Sequence, residues 1–388
     1  MTPFTPLSLP HFDTQEFLQE YWQKRPAVFR KVIPGFQNFA PVETIFSIAK
    51  SETADSRLVL EKDGDYPWQV LHGPFESDDL ETLPRNHWSL LVQNLELHIA
   101  EAADFLSLFN FLPNWRIDDL MVSYATDKGS VGPHLDNYDV FLFQAEGTRS
   151  WSINYRDYDE TNFIKDLDLK IIDKFVANEC WELEPGDMLY LPPGIAHHGV
   201  AQEKSITLSV GFRAPGRNEI LAGLLDSLIE NSTDVRFFDP QRKLQKHPGE
   251  IETDDLDSIH RILNSAFSNR SLLLDCLGKS CTELPENFFA DEPDSLLDRT
   301  GFITRFKNEQ FLRKHAVKSV FYRLEDGPIL FVNGDRLVFP AELQSFVEEF
   351  SASPEFSNPL GNQQSCPEKL VDFLLELYNA GHLKAPGK

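Results

Sequence analysis

Between Leu120 and Phe212 the chain repeats one device: a short run of apolar and β-branched residues, then a corner of Gly, Pro, Asp or Asn. Leu120–Tyr124 runs into Asp127-Lys128-Gly129-Ser130. Val140–Gln144 turns at Ala145-Glu146-Gly147-Thr148 and returns as Arg149–Asn154. Glu184-Pro185-Gly186-Asp187 precedes Met188–Leu191, Pro192-Pro193-Gly194 makes a stiff corner, and Ser205–Phe212 closes the series. Runs this short, separated by residues that break helices, predict an antiparallel barrel or jelly roll over about 110–215.

Inside that region lies His134-Leu135-Asp136, answered by His197 after the Pro-Pro-Gly corner. Residues i and i+2 of an extended segment share a face, so one strand end can offer a nitrogen and an oxygen ligand together. A distant strand adds the second imidazole. Two His and one carboxylate with open positions form the facial triad of a non-haem Fe(II) oxygenase. Only one of the neighbours His197 and His198 can face the metal. His197 is assigned to it, with His198 turned to solvent or to a supporting contact.

An Fe(II) site that activates dioxygen needs a reductant, and 2-oxoglutarate supplies two electrons by decarboxylating to succinate. Arg149, on the strand that returns after the ligand pair, suits the distal carboxylate of that cosubstrate, because its planar fork binds carboxylates bidentately and stays charged. Ser123, Asn154 and Ser209 are candidates for added hydrogen bonds from neighbouring strands. A cationic substrate group would need acidic or aromatic partners, and Asp118, Asp119, Tyr138 and Asp139 lie near the ligands in sequence.

These motifs resemble the JmjC-type 2-oxoglutarate oxygenases, and most of all the bacterial ribosomal oxygenases. The resemblance rests on Val131–Phe141, Arg149 with Trp151, Leu183–Asp187, Tyr190–Gly194 and Ser209–Pro215, and on the opening segment Phe17 with Tyr21–Pro26. It is dense from about 10 to 215. It implies a double-stranded β-helix core of the cupin/JmjC kind within an α+β fold. It implies His134, Asp136 and His197 as Fe(II) ligands and Arg149 as the 2-oxoglutarate partner, with dioxygen as second cosubstrate. The implied reaction is hydroxylation of an arginine (C3) in the sixteenth large-subunit ribosomal protein, by a homodimer. His198 departs from the pattern, which leads one to expect an acidic or small residue there. Competing readings are the same chemistry on another protein (histidine hydroxylation or demethylation) and a non-catalytic metal-binding cupin module.

Net charge is −25. That argues against direct nucleic-acid contact, which needs cations against phosphate, and suits a basic protein partner. No run approaches the length of a membrane span. The start, Met1-Thr2-Pro3-Phe4, lacks the basic and apolar regions of a secretory signal. Cys180, Cys276, Cys281 and Cys366 form no CxxC pair, which together with the other features predicts reduced thiols in a cytoplasm.

The chain is expected to divide into 1–215, an oxygenase domain with an α+β entry region; 216–285, a helical segment for dimerisation; and 286–388, a winged-helix-like domain. In the entry region helices are predicted over Gln15–Gln23 and Pro41–Ser51 and strands at Pro26–Val32, Arg57–Leu60 and Trp68–Leu71, and an amphipathic helix over Glu96–Phe109 leads into the barrel. Helices follow over Asn218–Ile229 and Ser258–Leu277 around a loop from Asp234 to Asp257. In the last part a meander turns at Asn333-Gly334, followed by helices Ala341–Ser351 and Pro367–Asn379 and a polar stretch over 351–367.

Overall fold

Thirty-one phenylalanines need somewhere to go, and the packing of one large sheet answers that need. The computed structural model describes residues 9–61, 68–165, 167, 169–231, 234–244, 246–291, 293, 295–307, 312–359 and 367–384. Met1–Phe4, Cys366 and part of the polar stretch lie outside them. Eleven strands serve the site: β1 (Ala27–Phe29), β2 (Ser56–Leu60), β3 (Gln69–His72), β4 (Trp88–Val92), β5 (Ile117–Ala125), β6 (Asp139–Glu146), β7 (Arg149–Asn154), β8 (Glu179–Leu183), β9 (Met188–Leu191), β10 (Ala196–Ala201) and β11 (Ser205–Phe212). An eight-stranded sheet has the order β1-β9-β6-β11-β5-β4-β2-β3, and a three-stranded sheet the order β10-β7-β8. Their pairings are antiparallel. The jelly-roll core expected within an α+β fold is present.

Strand β6 shows why its sequence is uninterrupted rather than alternating. Phe141, Phe143 and Ala145 point into one buried cluster with Phe17, Phe105, Phe109, Tyr190 and Phe212. Val140 and Leu142 point the other way, into a second cluster with Trp151, Ile153, Leu183, Leu189 and Leu191. Both faces are covered, so the period of two is invisible in hydrophobicity. Phe141 sits among the rings of Phe17, Phe109, Tyr190 and Phe212 at centroid distances of 5.1, 5.1, 5.1 and 5.6 Å. Each such side chain contributes about 1.5–3 kcal/mol by burial.

Helices α1 (Thr14–Glu20), α2 (Val42–Ala49), α3 (Ser77–Glu81) and α4 (Ala100–Ser107) belong to this part of the chain. Asp13 caps α1 by accepting from the Gln15 and Glu16 N–H groups. The single helix expected over Glu96–Phe109 is instead a short 3₁₀ turn, Leu95–Leu97, and then α4, broken where Ile99 is extended (φ −129°). The buried Glu96 carboxylate accepts the Leu120 N–H at 3.0 Å, and this tie to β5 interrupts the helix. Strand β4 was not foreseen. All five of its residues are buried, so it carries no alternation to detect.

The chain forms two compact units. One reaches from the N-terminal region to Ala214 and takes in Pro285–Val317 and the stretch from Glu348 onward; the other comprises Pro215–Leu284 and Lys318–Val347. Residues 286–388 therefore contribute to both. In the second unit α5 (Arg217–Asn231) is followed by α6 (Thr253–Phe267) and α7 (Arg270–Ser280). The one helix expected over Ser258–Leu277 is split at Asn269, whose side chain accepts from the Ser271 and Leu272 N–H groups and so starts α7. The meander Ser319–Tyr322, Ile329–Val332, Asp335–Val338 turns at Asn333 (φ 48°) and Gly334 (φ 87°), the left-handed pair an Asn-Gly hairpin demands. Among the described residues no helix is long and apolar enough to cross a membrane.

Candidate active site

The segment before His134 is shaped by Gly132, whose φ of +80° and close approach to Ile171 leave no room for a side chain. Pro133 then delivers His134 opposite β10, where two backbone bonds join the imidazole-bearing residues directly. The His134 N–H donates to His197 O at 3.0 Å and the His197 N–H returns to His134 O at 2.8 Å. Asp136 is held by its own carbonyl, which accepts the Gly194 N–H at 2.7 Å. The Pro-Pro-Gly corner thus secures one residue of the trio and introduces another. Neither link could be read from spacing.

One potential ligand atom from each of His134, Asp136 and His197 lies within 4.8 Å of the others. His134 Nδ1 is 2.9 Å from Gly132 O and His197 Nδ1 is 3.0 Å from Ile195 O. Carbonyls can only accept, so each Nδ1 carries the proton and each Nε2 keeps its lone pair. Those Nε2 atoms stand 3.9 and 3.7 Å from Asp136 Oδ2. Burial, and next the charge of His134, push the pKa of His197 down to about 4, so at neutral pH its imidazole is neutral. Two imidazole nitrogens and one carboxylate are the donor set that Fe(II) takes.

The trio opens into a cavity of about 350 Å³ that also holds Ser123, Met121, Leu142, Arg149, Trp151, Thr207 and Ser209. Arg149 is 2 % exposed. Its guanidinium reaches Ser123 Oγ at 3.3 Å, Thr207 Oγ1 at 3.4 Å and Gly199 O at 3.4 Å, all long, and its Nε has no partner. Among the described residues no carboxylate pairs with it. Burial pushes its pKa down to about 10, which still leaves it charged at neutral pH. A buried cation without a counter-ion is costly, and such a site is built for an anion. Gly199 makes the arrangement possible: a Cβ there would stand 2.7 Å from the Trp151 ring and 2.9 Å from Arg149 Nε. The cavity therefore fits a dicarboxylate that reaches from Arg149 toward the trio.

The structure brings together His134, Asp136, His197, Arg149, Ser123 and Ser209. It does not bring Asn154 among them. That side chain donates to Val176 O and accepts the Arg156 N–H, fixing the loop after β7. Thr207 and Gly199 were missed; Thr207 lies two residues before Ser209 on β11, and the period of two was the signal for it. His198, expected at solvent or in support, lies against the Phe175 ring at 6.0 Å with Nε2 buried and unpartnered. Burial, and next Arg149, push its pKa to about 4. Asp118, Asp119 and Tyr138 line the cavity. Asp139 is buried elsewhere, accepting from Tyr190 Oη at 2.6 Å, Gln23 Nε2 at 2.9 Å and Arg116 Nη2 at 3.2 Å.

A JmjC domain model matches residues 104–220. Ribosomal protein uL16 3-hydroxylase of Escherichia coli is 40% identical over 252 residues, a match that spans 64% of this chain and 65% of that protein. A probable ribosomal oxygenase of Haemophilus influenzae is 30% identical over 393 residues, covering 94% of this chain and 93% of the other.

The chain belongs to the ribosomal oxygenases.

The solved structure of the Escherichia coli ribosomal oxygenase YcfD superposes on 99% of this chain and all of that one, with a TM-score of 0.84 at 29% identity. A structure of the same protein in complex with cobalt and 2-oxoglutarate covers 97% of this chain and 99% of that one, with a TM-score of 0.83. As a JmjC-class ribosomal oxygenase the chain is an enzyme that uses Fe(II) and 2-oxoglutarate.

Proposed function

We propose that this ribosomal oxygenase hydroxylates C3 of an arginine side chain in a large-subunit ribosomal protein, as a cytoplasmic homodimer. The observation that carries the chemistry is the pairing of buried, counter-ion-free Arg149 with the His134–Asp136–His197 trio in one cavity. His134 and His197 would hold Fe(II) through Nε2, and Asp136 through a carboxylate oxygen. Arg149, with Ser123 and Thr207, would hold the distal carboxylate of 2-oxoglutarate. When bound, Fe(II) with 2-oxoglutarate and dioxygen supplies the oxidation: one oxygen atom enters succinate as carbon dioxide is lost, the other enters a substrate C–H bond as hydroxyl.

The chain's own residues do the positioning. The carbonyls of Gly132 and Ile195 hold the imidazoles in the Nε2-donating tautomer. Trp151, whose ring lies 5.0 Å from the Arg149 guanidinium, together with Leu142 keeps the inner cavity apolar around a single charge. At the cavity wall the Asp118 and Asp119 carboxylates and the Tyr138 ring offer a guanidinium both charge and a face to stack on. Asp118 already pairs with Arg213 at 3.0 Å, which orients it. The Escherichia coli relative's description as a uL16 3-hydroxylase, and this chain's net charge of −25, support a basic ribosomal protein as the partner.

The homodimer reading is supported by α6, which exposes Leu256, Ile259, Leu263 and Phe267 on one helical face, and by α5 with Ile220, Leu221, Leu225 and Ile229. A second copy supplies a matching apolar face by symmetry.

The test is succinate release from the Fe(II)-loaded protein with 2-oxoglutarate, with and without a uL16 peptide, alongside the peptide's mass. Stimulated release with one oxygen gained on an arginine is the expected result. Release without peptide oxidation rejects the target, and no release with metal bound rejects the assignment of the site.

A further inference from the structure

The cavity holds a second arginine that the reading above does not use. Directly paired residues cross the large sheet in one row, Thr207 on β11, Ser123 on β5, Leu91 on β4 and Arg57 on β2. Residues paired this way share a face. The row begins at the two hydroxyls beneath the Arg149 guanidinium and ends, two strands beyond Ser123, at Arg57. At the usual strand spacing that is about 10 Å along the sheet. Arg57 lines the same cavity as the trio, so the cavity carries one cation at its inner end and another toward its far wall.

Arg57 is half-buried. Among the described residues it makes no ion pair or hydrogen bond, although Asp118, Asp119 and Asp136 line the same cavity. An arginine placed for strand stability alone would be expected to lie along the sheet surface or pair with a neighbouring carboxylate. This one presents a planar fork of donors to the space a substrate chain must cross. Gln93, which also lines that end, adds an amide able to donate and accept. Tyr138 lines the cavity too, and its hydroxyl lies within the fields of Asp136, Asp119 and Arg57. The carboxylates suit the guanidinium to be hydroxylated, whereas Arg57 repels one and suits an acceptor oxygen, so the cavity lining asks for both charges in the substrate.

We propose that Arg57 is a specificity-determining residue that binds an acceptor oxygen of the substrate chain beside the residue being hydroxylated, and so sets the direction in which the chain lies. The proposal rests on the peptide-hydroxylase reading above. The oxygen comes either from an acidic side chain of the substrate or from a backbone carbonyl.

The experiment uses the full-length Fe(II)-loaded enzyme with 2-oxoglutarate and a set of arginine-centred peptides carrying Asp, Asn or Lys at successive flanking positions. Wild type, Arg57→Gln and Arg57→Lys are compared for peptide KM and kcat. Peptide Kd is read by fluorescence anisotropy without oxygen, and thermal midpoints check the fold. Loss of a charge-assisted hydrogen bond at a half-exposed site raises KM and Kd about tenfold in Arg57→Gln, with kcat moved less. Arg57→Lys recovers part of the loss. A rise confined to peptides with Asp at one position assigns the acidic side chain, and an equal rise on all peptides assigns the backbone carbonyl. Unchanged Kd and KM in a folded Arg57→Gln protein overturn the proposal, as does a fall in kcat alone. If wild type binds the peptides without hydroxylating any, the substrate reading fails, while the Kd comparison still decides for or against Arg57.

Discussion

Gly199→Ala is the sharpest probe of how the cosubstrate end of the cavity is built. The backbone at Gly199 does not need a positive φ, so the substitution tests space alone. The new methyl would sit 2.9 Å from Arg149 Nε and 2.7 Å from two atoms of the Trp151 ring. Ordinary contact begins near 3.4 Å, so the guanidinium must retreat by at least 0.5 Å (3.4 − 2.9) and the ring by 0.7 Å (3.4 − 2.7). Both side chains are buried but line the cavity, so any retreat takes space that the cosubstrate would fill. Overpacking of this kind costs about 1–3 kcal/mol of stability. The functional cost is separate. Complete loss of a charge-assisted pair is worth about 1.5–3 kcal/mol, or roughly 10- to 150-fold in affinity, and a displaced fork that keeps part of its bonding loses about tenfold. The expected result is therefore a 2-oxoglutarate KM, read by succinate release, raised about tenfold with Fe(II) affinity unchanged, because His134 and His197 are held by bonds that do not involve Gly199. Anaerobic 2-oxoglutarate binding should weaken by the same factor. A variant of lowered thermal midpoint with wild-type 2-oxoglutarate KM and Kd would show that Arg149 is not held where its charge meets the cosubstrate.

Arg149→Ala removes the buried cation altogether, and 2-oxoglutarate KM should rise by about 100-fold or more while Fe(II) titration stays near wild type; equal losses of both would refute the division of labour. Asp139→Ala leaves Arg116 and the Tyr190 hydroxyl without their shared acceptor, and urea unfolding should show a loss of about 3 kcal/mol. For Asp187, burial pushes the pKa up, but the Glu184 and Lys31 N–H groups and the Arg30 guanidinium outweigh it and hold the pKa below the usual carboxylate range. Its folded pKa is thus lower than its unfolded one, so its stabilisation is complete above the unfolded value and is lost as pH falls through the folded value. Urea midpoints from pH 6 to pH 3 should drop more steeply in wild type than in Asp187→Asn; parallel slopes would contradict the assignment. Leu263→Asp places a charge in the apolar face of α6 and should convert a dimer to monomer in light scattering, with peptide-free succinate release as a check on folding.

Much of the candidate site was legible because potential ligands on strands obey a period of two and a corner of Pro and Gly marks where the third arrives. His134, Asp136 and His197 could be chosen from that pattern, and Arg149 from the hairpin that follows. Asn154 shared Arg149's strand, but a loop claimed both ends of its amide, and such claims are invisible to strand spacing. Asp139 looked as available as Asp118, being three residues from a ligand. Its direction was decided by a buried tyrosine 51 positions away. Helix ends failed for a related reason. Glu96 belonged to a helical pattern, yet its carboxylate was needed at Leu120 N on another strand.

By itself the sequence determined the chemistry and the class of fold, because ligand types, turn residues and apolar runs are local properties that survive in any register. What the tertiary structure decided was company. The reciprocal backbone bonds of His134 and His197, the space that Gly199 leaves for Arg149 and the row that carries Arg57 to the cavity all join residues far apart in the chain. Such pairings depend on which strands lie side by side, and strand neighbours are set by the packing of the whole sheet rather than by any stretch of it.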